Sequence, residues 1–199
     1  MLTIGFDGAI TNGGGFATRD GEIVLQHTMP RADVERLIRY FEDGGIHYFL
    51  QSHERVYASP GILGMMSDFL QQRAQRRAED LKQLGVDDDA DDLLDAVLRE
   101  AADRYAPVGD APLDAIAKAV FVSEHSDSVD RMQTDLGERF HVIPGSMPMP
   151  GGSNGEISLH GTNKGAAILE ILAQLGLDAA DAVGIGDSWN DVEMFEVCG

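Results

Sequence analysis

The chain has 199 residues, of which 34 are acidic and 15 are basic, and its formal net charge at pH 7 is −19. Its apolar fraction of 43% is typical of an ordinary globular protein with one good core or two small ones. The negative charge argues against nucleic acid and anionic membranes as partners, because both would repel the protein. The sequence has no apolar run long enough to cross a membrane. Its one cysteine, Cys198, cannot form an internal disulfide, which fits a reducing cytoplasm.

The first sixty residues predict a pair of strands, a helix and two further strands. Asp20-Gly21 separates alternating apolar positions, which is the pattern of a β-hairpin. Residues 31–45 carry apolar side chains at helical spacing, and glycines end the pattern. Residues 46–59 predict two strands around a polar turn at His53-Glu54. The local unit is therefore strand, helix, strand, strand.

The same order of elements recurs later in the chain. Residues 117–126 predict a strand, 127–138 a helix, and 139–145 and 155–160 two more strands. Two copies of one such unit can pair their strands into a single open sheet, with the helices covering one face. Residues 60–116, between the copies, predict a charged and mostly helical insertion.

An acidic run occupies residues 86–95 of this insertion. It is typical of a solvated loop and helix start. A calcium-binding loop is the alternative, and it is excluded because the ligand spacing and the turn glycine of an EF-hand are missing.

The last forty residues predict helix, strand and helix. Residues 162–177 carry a broad apolar stripe that ends at Gly176. Residues 181–187 are small and apolar, which predicts a short strand buried on both faces. Another helix begins near residue 190. These elements are part of an α/β sandwich and are too few to close a core.

Polar residues after the predicted strand indicate a site for Mg²⁺ and phosphate. Ligands of open α/β sheets bind beyond the carboxyl ends of the strands, which is where Asp187 lies. Asn190 and Asp191 follow, and grouped oxygen ligands of this kind suit Mg²⁺. Lys164 lies at the start of the preceding helix, where a cation and free N–H groups favour an anion. The alternatives are that the aspartates only stabilise a helix start and that Lys164 is an ordinary surface lysine.

Residues 163–199 resemble the carboxyl half of the core of the haloacid dehalogenase superfamily, and more narrowly its Cof-type branch of sugar-phosphate phosphatases. The shared pattern is Lys-Gly at a helix start followed by Gly-Asp-x-x-Asn-Asp-x-x-Met at a strand end. Here it is Lys164-Gly165 followed by residues 186–194, a highly specific combination. The resemblance implies an α/β fold made of a partial Rossmann-like core and an inserted α/β cap.

The resemblance also implies a role for each motif residue. Lys164 would act in catalysis and hold the substrate phosphate, which Asn190 would also contact. Asp187 would bind Mg²⁺, and Asp191 would support the metal shell or orient Lys164. The implied activity is Mg²⁺-dependent hydrolysis of a small-molecule phosphate ester, with metal and lysine stabilising the transferring phosphoryl group.

The nucleophile of this family, an aspartate in an Asp-x-Asp-Gly-Thr motif, has no clear counterpart. Residues 5–11 match the motif only if Gly5 replaces the nucleophile, with Asp7 as the acid/base. Ser52 would then supply the second motif, which is a Ser or Thr that the family places after its second strand. The chain would then be a pseudoenzyme or a phosphate-binding module. The other hypothesis compares Asn12-Gly13-Gly14 with the segment that leads into the Cof-type cap. The repeat favours this second hypothesis, because the first assigns residues 22–59 to the core and loses a cap unit.

The favoured alignment divides the chain into 1–13, a core strand leading into the cap; 14–160, the cap with its insertion at 60–116; and 161–199, the C-terminal part of the core. The strands with the nucleophile and the second motif would then lie before Met1, and the core would continue after Gly199. The expectation is therefore a fragment of a phosphatase that is inactive by itself.

Overall fold

The computed structural model describes residues 5–83, 105–146 and 149–199, which hold nine strands in two sheets and five helices. The strands are β1 (Gly8–Thr11), β2 (Phe16–Arg19), β3 (Glu22–Gln26), β4 (His47–Gln51), β5 (Val56–Ala58), β6 (Tyr105–Pro107), β7 (Lys118–Ser123), β8 (Phe140–Pro144) and β9 (Ser153–Leu159). The helices are α1 (Arg31–Asp43), α2 (Ile62–Gln83), α3 (Ser128–Leu136), α4 (Lys164–Leu175) and α5 (Val192–Val197).

The larger sheet joins strands from both predicted units in the order β6-β5-β4-β7-β9-β8. Strand β4 of the first unit pairs antiparallel with β7 of the second, from His47 opposite Val122 to Gln51 opposite Lys118. All other pairs in this sheet are antiparallel too, except the parallel pair β5-β6. The two units therefore share one open sheet, which is the α/β arrangement that the repeat predicts.

The first strand of the first unit does not belong to that sheet, and this part of the prediction is wrong. Strand β3 pairs with β2, which pairs with β1, in a separate three-stranded antiparallel sheet. The reason is the tight turn at Asp20 and Gly21, where both residues have positive φ. A turn of this kind folds a strand back on its immediate neighbour.

The larger sheet is covered on one face by α1 and α3, as predicted. The buried side chains of this core come from both helices and from alternate strand positions: Val34, Leu37, Phe41, Tyr48, Leu50, Phe121, Met132, Leu136 and Ile157. Successive strand residues point to opposite faces. Phe49 therefore faces the other side, where it packs with Ile62 at the start of α2 and with Val122.

The insertion is helical only at its beginning. Helix α2 confirms the first predicted helix, whereas β6 adds a strand where the sequence predicts the end of a second helix. The acidic run and most of that second predicted helix lie outside the described residues. No helix in the described ranges combines the length and the apolar character that crossing a membrane requires.

The three-stranded sheet packs on α4. Ala17 and Leu25 of this sheet are buried against Ala167 of the helix, with Ile10 and Ile171 packed around them. This contact fixes the start of α4 beside the turn that follows β1.

The strand predicted over residues 181–187 is wrong. A short 3₁₀ turn ends at Asp181, and the next six residues form no strand pairs. Val183 is 82% exposed and Ile185 is 89% exposed. A strand of a parallel sheet is held by its neighbours, and in the described residues no strand lies beside this segment.

Candidate functional site

Helix α4 begins where the sequence predicts it. Asn163 has extended backbone angles, and its side-chain Oδ1 accepts a hydrogen bond of 2.7 Å from the backbone N–H of Ala166. Asn163 is thus the N-cap, and Lys164 is the first residue of the helix. The ammonium group of Lys164 therefore belongs to a helix start, where free N–H groups and the helix dipole favour an anion.

The ammonium group of Lys164 is held by two side chains. Its Nζ donates to Oδ1 of Asp191, and to Oδ1 of Asn190 at 2.8 Å. The Lys164 side chain is 32% exposed, so it is reachable from solvent. An ammonium group has three N–H donors, and this arrangement leaves one of them for a ligand.

Asp191 is the most enclosed carboxylate of the cluster, with a relative exposure of 6%. Its Oδ2 accepts from the backbone N–H groups of Asp187 and Ser188, at 3.2 and 3.1 Å, and from Oγ of Ser188 at 3.0 Å. The hydrogen bond from Lys164 is the main cause that lowers the pKa of Asp191 to about 2, and the donors on Ser188 and Asp187 add to it, whereas burial acts in the opposite direction.

Ser188 is a member of this cluster that sequence reasoning missed. The Ser-x-x-Asp spacing of residues 188–191 is that of a capping box, and the structure has one there. That spacing is the signal that could have revealed it.

The side-chain amide of Asn190 has a defined orientation. Its Oδ1 accepts from Nζ of Lys164 and lies 2.7 Å from Oγ of Ser188. Its Nδ2 has no hydrogen-bond partner among the described residues. The amide group is therefore able to donate to a ligand while its oxygen holds the lysine.

Asp187 differs from Asp191 because its carboxylate is exposed and has no partner within the described parts of the chain. Mg²⁺ commonly takes one or two carboxylates together with water and substrate phosphate. The free carboxylate of Asp187 is of the kind that Mg²⁺ takes as a ligand. The oxygens of Asp191 already face four donors. Within the described ranges no group of three or more His, Cys, Asp or Glu side chains forms a metal cluster. Of the two aspartates of this cluster, Asp187 is therefore the one whose carboxylate is free.

Three glycines allow backbone segments to come close together at this site: Gly14 of the Asn-Gly-Gly segment, and Gly165 and Gly186 of the pattern that contains Lys164 and Asp187. A Cβ at Gly14, where φ is +100°, would lie 2.1 Å from the carbonyl oxygen of Asn163. A Cβ at Gly165 would lie 2.2 Å from the carbonyl oxygen of Glu193, and one at Gly186 would lie 2.5 Å from Cγ of Asp191. Any other residue type would push these elements apart.

The residues proposed for the pseudoenzyme alignment lie elsewhere or have other partners. Asp7 precedes β1, whereas the turn that touches Asn163 follows β1 at its other end. Four strand residues span about 13 Å. Oγ of Ser52 accepts from the backbone N–H groups of Glu54 and Arg55 and so stabilises the β4-β5 turn. The position of Asp7 argues against it as an active-site residue beside Lys164, and the hydroxyl of Ser52 is engaged within its own turn.

Comparison with known proteins identifies the class. The model of the haloacid dehalogenase-like hydrolase family matches residues 1–199. The chain therefore belongs to the haloacid dehalogenase-like hydrolases. It is 30% identical over 150 residues to the phosphoglycolate phosphatase of Halobacterium salinarum, which covers 73% of this chain and 57% of that protein. It is 36% identical over 87 residues to the HMP-PP phosphatase of Escherichia fergusonii, which covers 42% of this chain and 30% of the relative.

Solved structures share the fold. A haloacid dehalogenase-like hydrolase from B. subtilis matches with a TM-score of 0.68 and 18% identity, over 98% of this chain and 68% of that one. The subclass IIB sugar phosphatase BT4131 matches with a TM-score of 0.64 and 12% identity, over 97% of this chain and 62% of that one. The chain thus spans a little over half the length of the phosphoglycolate phosphatase and about two thirds of these solved structures.

The close contact at Gly165 leads to a prediction about the stability of the fold. Gly165→Ala should lower the free energy of unfolding by about 1–3 kcal/mol, because the new methyl group meets a backbone oxygen that cannot move alone. Gly64→Ala in α2 is the matched control, since a Cβ there meets nothing within 4 Å. Urea denaturation measures both variants, and equal stability of the two would contradict the packing of α4 on α5.

The lowered pKa of Asp191 leads to a prediction about pH. A carboxylate whose pKa is depressed in the folded state stabilises the fold above its ordinary pKa, and the contribution is lost as pH falls through about 2. Asp191→Asn should therefore lower the free energy of unfolding by about 1–2 kcal/mol at pH 7. The difference from the wild type should shrink by roughly half at pH 3.

Denaturation curves at pH 7 and pH 3 measure this difference. The control is Asp110→Asn, which removes an exposed carboxylate on another part of the chain and should change little. A wild-type advantage over Asp191→Asn that stays constant between the two pH values would contradict the prediction.

Proposed function

We propose that the chain carries the lysine and aspartate part of the phosphate site of a Mg²⁺-dependent phosphatase. The proposed substrates are small phosphorylated metabolites, the class to which sugar phosphates belong. The observation that supports this most strongly is the held ammonium group of Lys164. Asp191 and Asn190 fix it at a helix N-terminus with one N–H donor left over. Such a group can bind the dianionic end of a phosphate ester.

Each side chain then has a distinct task. Lys164 donates to a phosphoryl oxygen, and Nδ2 of Asn190 donates to another. Asp191 is a positioning residue, because its carboxylate holds the ammonium group and the backbone of residues 187 and 188 in one place. Donors that are fixed before the substrate arrives stabilise the charge of the transferring phosphoryl group without reorganisation.

Asp187 is the proposed ligand of Mg²⁺. Its exposed carboxylate is free, and its backbone N–H is fixed by Asp191. Asp191 would support the metal indirectly, through this loop. When bound, Mg²⁺ supplies neutralisation of the charge on the phosphoryl oxygens.

Turnover needs a nucleophile that these 199 residues do not provide in the family's Asp-x-Asp-Gly-Thr form. We therefore propose that the chain by itself binds phosphate without hydrolysing esters. The strongly negative charge supports a small-molecule partner rather than nucleic acid or a membrane surface. The lone Cys198 supports the cytoplasm as the compartment.

Replacement of Lys164 by methionine tests the phosphate site. Titration of inorganic phosphate into the chain in the presence of Mg²⁺, followed by calorimetry, should give an affinity about tenfold lower or more for Lys164→Met. Asn190→Ala should weaken binding less, because one neutral donor is lost. Arg31→Met is the control, since Arg31 is exposed and pairs with Glu35 away from the cluster.

Two further measurements complete the test. Circular dichroism shows whether Lys164→Met remains folded. Asn190→Ala is a second test of the phosphate site, and in this variant Asp191 keeps its hydrogen bond from Lys164. Phosphate affinity that is the same in the wild type, Lys164→Met and Asn190→Ala would refute the proposal. Hydrolysis of nitrophenyl phosphate by the wild-type chain would contradict the statement that it lacks turnover.

A further inference from the structure

A cavity lies at the edge of the larger sheet, where strand β8 faces the start of helix α5. Its volume is about 570 Å³, which is within the range of small-molecule sites. Its walls are strand β8, the end of α3, Trp189 and the first turn of α5. The side chains of the candidate phosphate site, Lys164, Asn190 and Asp191, do not line it. The cavity is therefore separate from that site.

Glu193 is the acidic residue of this cavity. None of the described residues that line the cavity is a lysine or an arginine. Oε1 of Glu193 lies 3.4 Å from Nδ1 of His141, which is longer than a hydrogen bond of good geometry. The Glu193 side chain is 21% exposed, and its carboxylate accepts no hydrogen bond within the described parts of the chain. A partly enclosed carboxylate of this kind is stabilised by a ligand that donates to it.

Flat rings form another part of the wall. Trp189 lines the cavity and is 68% exposed, so its indole ring is open to a ligand. The rings of His141 and His160 are nearly parallel, with centroids 6.1 Å apart and an interplanar angle of 13°. Nε2 of His160 donates to the carbonyl oxygen of Gly137 at 2.8 Å, which fixes that ring. Aromatic faces attract cations, and the planar guanidinium group stacks on them.

The remaining lining is apolar or accepts hydrogen bonds. Ile143, Pro144 and Val192 provide apolar surface. Nε2 of Gln133 donates to the carbonyl oxygen of Val142 at 3.0 Å, which leaves the amide oxygen of Gln133 as an acceptor. An anion in this cavity would be repelled by the carboxylate of Glu193. The lining therefore favours a ligand that is cationic at one end and apolar at the other.

We propose that this cavity binds a small molecule with a guanidinium group on a short apolar stem. Glu193 accepts from the N–H groups of the guanidinium, and the indole ring of Trp189 packs on its flat face. The stem of the ligand lies along the apolar wall. The net charge of −19 supports a cationic ligand, because a negative surface raises the local concentration of cations.

Butylguanidinium is a suitable probe, and butylurea is its uncharged counterpart of nearly the same shape. Trp189 is the single tryptophan of the chain, so its fluorescence reports on the cavity directly. Titration of the full chain with butylguanidinium, at concentrations far below those that denature proteins, should change this fluorescence in a saturable way. Butylurea should bind about tenfold more weakly or less, because the charge of the donor is lost.

Two variants test the proposed contacts. Glu193→Gln should weaken butylguanidinium binding about tenfold, because a charged acceptor is lost. Val192→Lys should also weaken it, because the new ammonium group repels the probe. Val192 is 40% exposed, so this second variant is expected to fold. Glu196→Gln is the matched control, since it removes an exposed carboxylate from the same helix outside the cavity, and it should bind as the wild type does.

Saturation-transfer NMR measures the same affinities independently of the tryptophan signal. Three results would each overturn the proposal. The first is the absence of saturable butylguanidinium binding, and the second is equal affinity for butylguanidinium and butylurea. The third is equal affinity of Glu193→Gln and Glu196→Gln for butylguanidinium.

Discussion

The hydrogen bond between Lys164 and the enclosed carboxylate of Asp191 is the interaction on which the site depends. A carboxylate that is 6% exposed must be compensated by nearby donors. Asp191 obtains one from the ammonium group, and others from the backbone of residues 187 and 188 and the hydroxyl of Ser188. One buried charge thus fixes a cation, a loop and the orientation of Asn190.

The glycines of the motifs follow from the same interaction. The loop can bring its backbone to the carboxylate only because Gly186 has no side chain at the point of contact. The helix that carries Lys164 can approach α5 only because Gly165 leaves room for the carbonyl of Glu193. On the other side, Gly14 lets the turn after β1 lie against Asn163, and Asn12 of that turn donates to the carbonyl of Ser52. This turn therefore links the helix start to both sheets.

The features that the sequence predicted are those that depend on local chemistry. The start of α4 follows from the cap at Asn163, and its end at Gly176 follows from a left-handed C-cap. The repeat of helix and strands was visible because apolar periodicity is local. The motif around Lys164 and Asp187 was recognisable because its spacing is specific.

The features that the sequence did not predict depend on partners far along the chain. β3 carries a valid strand pattern, but the pattern does not say which sheet it joins. Residues 181–187 have the composition of a buried strand, yet in the described residues they have no neighbouring strand, and the side chains of Val183 and Ile185 are exposed. Lys118 and Glu156 are 38 residues apart and meet only through the register of β7 and β9. No pattern in the sequence contains that register.

An NMR titration of the side-chain carboxyl carbon of Asp191 tests the central claim most directly. In the wild type the carboxyl should titrate near pH 2, and in Lys164→Met its pKa should rise towards the ordinary aspartate value. An ordinary pKa in the wild type, or the same low value in both proteins, would contradict the account, because Lys164 would then not be the group that holds Asp191.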